Sequence, residues 1–98
     1  MAAKKTRKPS ARERELMQVH DDLRSELNHR GWRVETARSL TGRGGHCIVA
    51  GEQRVILRGQ VPVSDRLEVL WEALRTEQPE FETLPETVRT WAAATAVG

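Results

Sequence analysis

Leu16, Val19, Leu23 and Leu27 recur at helical spacing with charged residues between them, which predicts a helix over residues 11–30. Ser10 stands where an N-cap belongs, Glu13 three residues on completes a capping box, and Gly31 suits the left-handed residue that ends a helix. The apolar stripe of this helix is narrow, nearer a seam than a broad face. Trp32-Arg33-Val34-Glu35-Thr36 then alternates apolar and polar, the period of a strand. Residues 37–45 hold three glycines and read as a loop. Two short apolar runs follow, His46–Ala50 and Arg54–Arg58, and predict a hairpin. After Pro62 and Ser64, Leu67, Leu70, Trp71 and Leu74 follow the i, i+3, i+4, i+7 pattern of a helix over 65–77, closed by Gln78-Pro79. Pro85 can open a last short helix with Val88 and Trp91 on its inner side, and AAATAVG reads as a frayed end.

The hairpin register follows from which side chains must be buried, because a slip of one residue turns every side chain over. A two-residue turn at Gly51-Glu52 sets Val49 against Arg54 and Cys47 against Ile56, mixing charge into an apolar face. A three-residue loop, Gly51-Glu52-Gln53, sets Val49 against Val55 and Cys47 against Leu57. The second choice predicts an inner face of Cys47, Val49, Val55 and Leu57 and an outer face of His46, Ile48, Ala50, Arg54, Ile56 and Arg58. The element order α-β-β-β-α-α predicts an α+β domain, a small antiparallel sheet of three strands with helices largely on one face. Its limits are a basic arm over 1–9, a single domain over 10–94 and a frayed tail over 95–98.

Charge adds an asymmetry that the net value of +2 conceals. Residues 1–14 carry Lys4, Lys5, Arg7, Lys8, Arg12 and Arg14 against Glu13, a net of +5. Residues 24–58 are net +4 and residues 59–98 net −4. With 98 residues and 38% hydrophobic content the chain is sized for one compact core. A single Cys permits no internal disulfide and no Cys-rich zinc site, which suits a reducing compartment, the cytoplasm. No secretory h-region and no apolar run of membrane-spanning length is present.

Chemistry is sparse. His46 and Cys47 are adjacent, yet neighbours on a strand point to opposite faces and cannot form a nucleophile–base dyad. The chosen register sends Cys47 inward, where a thiol behaves as a small apolar group. Gly42, Gly44 and Gly45 precede a strand, whereas a phosphate loop sits between a strand and a helix N-terminus. His20 and His29 are nine residues apart, about half a turn out of phase on a helix. Nothing in the chain calls for a cofactor, a metal or a small-molecule substrate.

The layout Gly44-Gly45-His46-Cys47, hairpin, then the helix Arg66–Leu74 resembles a group of small bacterial proteins that carry a Gly-Gly-x-Cys hairpin before a helix. It is also distantly similar to the core of the ImmA/IrrE-type zinc peptidases, in which a hairpin feeds an H-E-x-x-H helix. In that register this chain reads Trp71-Glu72-Ala73-Leu74-Arg75. The resemblance implies a shared shape with both ligand positions lost, and Trp71 fits the apolar stripe as a core residue.

The expected function is therefore that of a small cytoplasmic binding or adaptor module that acts through protein–protein contact or self-association and catalyses nothing. The first alternative is nucleic-acid association. Its candidate contacts are Lys4, Lys5, Arg7 and Lys8 of the arm with Arg43, Arg54 and Arg58 around the hairpin. The second is a zinc-peptidase-like fold without metal ligands.

Overall fold

The computed structural model describes residues 10–37, 44–59 and 61–95. The first helix, α1, spans Ala11–His29. Its start is the capping box that the sequence predicts: the Glu13 backbone N–H donates to Ser10 Oγ at 3.0 Å, and the Ser10 N–H donates to Glu13 Oε1 at 3.0 Å. Its end is a Schellman turn. Gly31, at φ +89°, donates to the Asn28 carbonyl at 3.1 Å, and Trp32 donates to the Leu27 carbonyl at 2.9 Å. Leu27 and Trp32 are both buried, so the same turn that stops the helix seats the first residue of the sheet layer in the core.

Three strands follow: β1 (Arg33–Ala37), β2 (Gly44–Val49) and β3 (Glu52–Arg58). The α+β class and the element order are as expected, but the sheet is mixed, in the order β1-β3-β2. β3 returns antiparallel to β2 and inserts between the other two strands, so it runs parallel to β1. The reason is the hairpin: its second strand takes the central place, where both edges are paired and Val55 and Leu57 are buried on the inner face. The expected loop over 37–45 is shorter at both ends, since Ala37 closes β1 and Gly44 and Gly45 open β2; residues 38–43 lie outside the described ones. The predicted arm over 1–9 also lies outside them.

The helix α2 spans Val63–Arg75 and begins after Pro62 without a side-chain cap. A single 3-10 turn at Phe81–Thr83 leads to α3, Glu86–Thr95, in which the Pro85 carbonyl accepts from the Arg89 N–H at 3.0 Å. The frayed end expected beyond Trp91 is helical as far as Thr95, because Ala92 is buried in the core and Thr95 Oγ1 donates back to the Trp91 carbonyl. Residues 96–98 lie outside the described ones.

Alpha2 lies at the centre. It packs on β2 and β3 on one side and on α1 on the other, while α3 packs against α1. Leu67, Val69, Leu70, Trp71, Ala73 and Leu74 are all buried, a far wider face than the Val19, Leu23 and Leu27 stripe of α1. Trp71 meets Trp91 edge to face, with ring centroids 5.8 Å apart, a favoured aromatic geometry. Polar ties close the perimeter. Thr87 Oγ1 on α3 donates to Asp22 Oδ2 on α1. Glu77, just past α2, accepts from Trp32 Nε1 at 3.0 Å and from Gln53 Nε2 at 3.5 Å, joining the end of that helix to the residue before β1 and to β3.

The pKa of His20 is held below its ordinary value of 6.5. Desolvation is the largest cause, the nearby Arg66 guanidinium adds to it, and Asp21 opposes it. The folded state therefore favours neutral imidazole. The contribution is fully present above the unfolded pKa and is lost as pH falls through the folded one. His20→Gln, which cannot take up a proton, is expected to lose less stability than the wild type as pH drops below about 6.5, read by denaturant melts across that range. Trp71→Ala empties a large core site and is expected to cost about 3–5 kcal/mol, again read by denaturant melts.

Candidate interaction surface

The hairpin decides what the outside of the sheet looks like, and its turn differs from the expected one. Val49 pairs with Glu52, Cys47 with Arg54 and His46 with Val55, which leaves Ala50-Gly51 as a two-residue turn. Both turn residues have positive φ, +53° at Ala50 and +81° at Gly51, the signature of a type I′ turn whose twist matches that of the flanking strands. The three-residue loop Gly51-Glu52-Gln53 is thus corrected. Turn geometry overrides the apolar matching of Val49 with Val55, because a type I′ turn needs a glycine and Gly51 supplies it one place earlier.

This register exchanges the two faces of β2. Residues paired across a sheet share a face, so His46 lies on the inner side with Val55 and Cys47 on the outer side with Arg54. Cys47 is exposed, and the expected inward thiol is corrected. Val49, expected inside, is 43% exposed. His46, expected outside and opposite Arg58, instead sets its ring edge to face against Trp32 at 5.9 Å. Ile48 is on the helix side but 69% exposed, so the helical layer does not cover the hairpin tip. Val55 and Leu57 are buried as expected.

The outer face joins β1 to β3. Arg33 of β1 is paired in register with Arg54 of β3, a like-charge neighbour that two carboxylates offset. Arg33 Nε lies 2.8 Å from Glu35 and its Nη1 3.8 Å from Glu52. Arg54 Nη2 lies 2.8 Å from Glu52 and its Nη1 3.7 Å from Glu35. These four side chains form a closed ring of alternating sign with no net charge. Of the proposed nucleic-acid contacts, Arg54 sits in this ring and Arg58 lies on the same face at the far end of β3, half-buried. Lys4, Lys5, Arg7, Lys8 and Arg43 lie outside the described residues.

Two of the concavities among the described residues bear on the readings above. One is a groove of about 320 Å³ between α1 and α3, with Leu16, Val19 and Trp91 in its lining and Arg12, Glu15 and Glu86 among its charged residues. The other, about 230 Å³, lies where Trp71 and Arg75 of α2 meet Pro79, Phe81 and Leu84. Those first two residues occupy the ligand positions of the H-E-x-x-H resemblance. Trp71 is buried in the core and Arg75 is exposed. No group of three or more His, Cys, Asp or Glu side chains among the described residues is placed to hold a metal ion.

Exposed large apolar side chains are more telling. Met17 on α1 and Phe81 after α2 stand singly, which is ordinary on a protein surface. Ile48 and Val49 are adjacent, one on each face of β2, beside the exposed Cys47. Among the described residues that strand is at the edge of the sheet, and from Gly44 to Gly51 the chain carries no Asp, Glu, Lys or Arg. Edge strands are usually guarded by charge. The opposite edge, β1, has Arg33 and Glu35; β2 has none.

No protein-family model, curated protein or solved structure matches the chain. The register itself is open to test. Ala50→Asn places the preferred Asn-Gly pair in a type I′ turn and relieves a left-handed alanine, so a gain of about 1 kcal/mol is expected in denaturant melts. The native Cys47 thiol is expected to react with a maleimide or disulfide reagent at nearly the rate of the unfolded chain.

Proposed function

We propose that this chain is a non-enzymatic binding module that works through protein–protein contact made by β2 and the hairpin tip. The observation that carries the reading is the adjacent exposure of Ile48 and Val49 on an uncharged edge strand. An edge of this kind presents a row of unpaired backbone donors and acceptors flanked by apolar side chains, which is what strand addition by a partner uses. The proposed setting is the cytoplasm, where the lone exposed thiol stays reduced.

Nucleic-acid binding ranks second because Glu35 and Glu52 already meet the guanidinium of Arg54. Any such binding is then the work of the arm, salt-dependent and non-specific, at about 10⁻⁴ to 10⁻⁶ M near physiological salt. The test is capture of partners from the native cell by the full chain after nuclease treatment. Wild type and the Arg54→Ala, Arg58→Ala double variant are expected to retain a protein partner that Ile48→Lys loses. Submicromolar, sequence-dependent binding of DNA or RNA that requires Arg54 and Arg58 overturns the reading.

A further inference from the structure

We infer that the occupant of the β2 edge is a second copy of this chain, paired antiparallel to the first about a two-fold axis near His46. The inference rests on the binding reading above and names its partner.

The backbone supplies the first argument. In a hairpin with a two-residue turn the residues flanking the turn, Val49 and Glu52, exchange both of their backbone hydrogen bonds, and the pattern alternates from there. Val49, Cys47 and Gly45 therefore point their N–H and C=O groups toward β3. Ile48 and His46 point theirs toward the free edge, and so does the Gly44 carbonyl, while the φ of +100° at Gly44 turns its N–H out of the alternation. An antiparallel strand pair is self-complementary under a two-fold axis, so a single strand can satisfy a copy of itself. The axis through His46 pairs His46 with His46 of the partner subunit and Ile48 with Gly44 of the partner subunit. It is the register in which the outward groups of His46 meet their own copies and the Ile48 N–H meets the outward carbonyl of Gly44 of the partner subunit.

Side chains fit the same register. Ile48 then lies over a glycine on the inner face, and Cys47 lies over Gly45 of the partner subunit on the outer face. A Cβ placed on Gly45 would meet nothing within 4 Å, so that position is open to receive a side chain from across the axis. Charge makes the choice of a second copy. A two-fold axis sets every charge near it against its own like, and the stretch from Gly44 to Gly51 bears no carboxylate, ammonium or guanidinium to be repelled. The β1 edge has Arg33, with a side chain 61% exposed, and Glu35, and would face that repulsion. The result is a continuous six-stranded sheet with the helices of both copies on one side. A contact of two short strands buries less than the roughly 1,600 Å² of a standard interface, so a reversible micromolar dimer is expected.

The test uses the full chain in sedimentation over a wide concentration range, with thiol cross-linking at Cys47. In the proposed register the two Cys47 Cα atoms are about 8 Å apart, two residues of rise along the strand and one inter-strand spacing across it. A short bis-maleimide is expected to trap a covalent dimer at concentrations where sedimentation finds one. Ile48→Lys is expected to weaken the dimer at least tenfold and to abolish the trapped species while keeping the circular dichroism of the wild type. Val49→Lys serves the same purpose if Ile48→Lys does not fold. A monomer at every concentration overturns the inference, as does a dimer that neither variant weakens or one not trapped through Cys47. If the chain is monomeric but hairpin-dependent capture of another protein persists, only the self-pairing falls; if both are absent, the binding reading falls with it.

Discussion

Burial of α2 on two sides at once is the constraint from which the other elements take their places. Six of its thirteen residues are buried, and no single neighbour could cover the face they form. The sheet takes one side through Val55 and Leu57, and α1 takes another through Leu23 and Leu27. Alpha3 then seals the end of that layer, with Trp91 against Trp71. The narrow stripe of α1 follows from the same arrangement, because α1 is a cover rather than a centre. In a domain this small the hydrophobic contribution from one doubly buried helix is a large part of what offsets chain entropy.

The central place of β3 depends on that packing. Among the described residues only the middle strand has both edges paired, and it brings the most apolar inner face onto α2. The outer strands are left with different tasks. Beta1 is tied down by the Schellman turn, by the Trp32–Glu77 hydrogen bond and by the ring of Arg33, Glu35, Glu52 and Arg54. Beta2 has the hairpin and the Trp32–His46 contact, and its free edge carries no charge. The two edges of one sheet are thus chemically unlike, and the binding surface proposed for the chain lies on the unguarded one.

The ring of four charges also changes what the basic middle of the chain can do. Exposed ion pairs contribute only about 0–1 kcal/mol each to stability. Their larger effect is on the field: Arg33 and Arg54, adjacent in register, project little net potential while Glu35 and Glu52 are beside them. A count of arginines along the chain does not show this, because Glu35 and Glu52 are far apart in sequence and meet only across β1 and β3.

Local signals settled much of the architecture from the sequence alone. The Ser10–Glu13 capping box, the stop at Gly31, the helical spacing of Leu67, Leu70, Trp71 and Leu74, and the α-β-β-β-α-α order are all encoded within a few residues of where they act. Burial of Val55 and Leu57 was legible for the same reason. The parallel pairing of β1 with β3 was not, since strand order depends on which strand α2 draws to the centre. The hairpin register was not either. Apolar matching favoured Val49 with Val55, but the backbone turn at Ala50-Gly51 moved the pairing and exchanged Cys47 with His46. A sequence specifies that two strands meet; which side chains they then turn to water depends on turn dihedrals and on how far a neighbouring helix reaches, and those are properties of the folded whole.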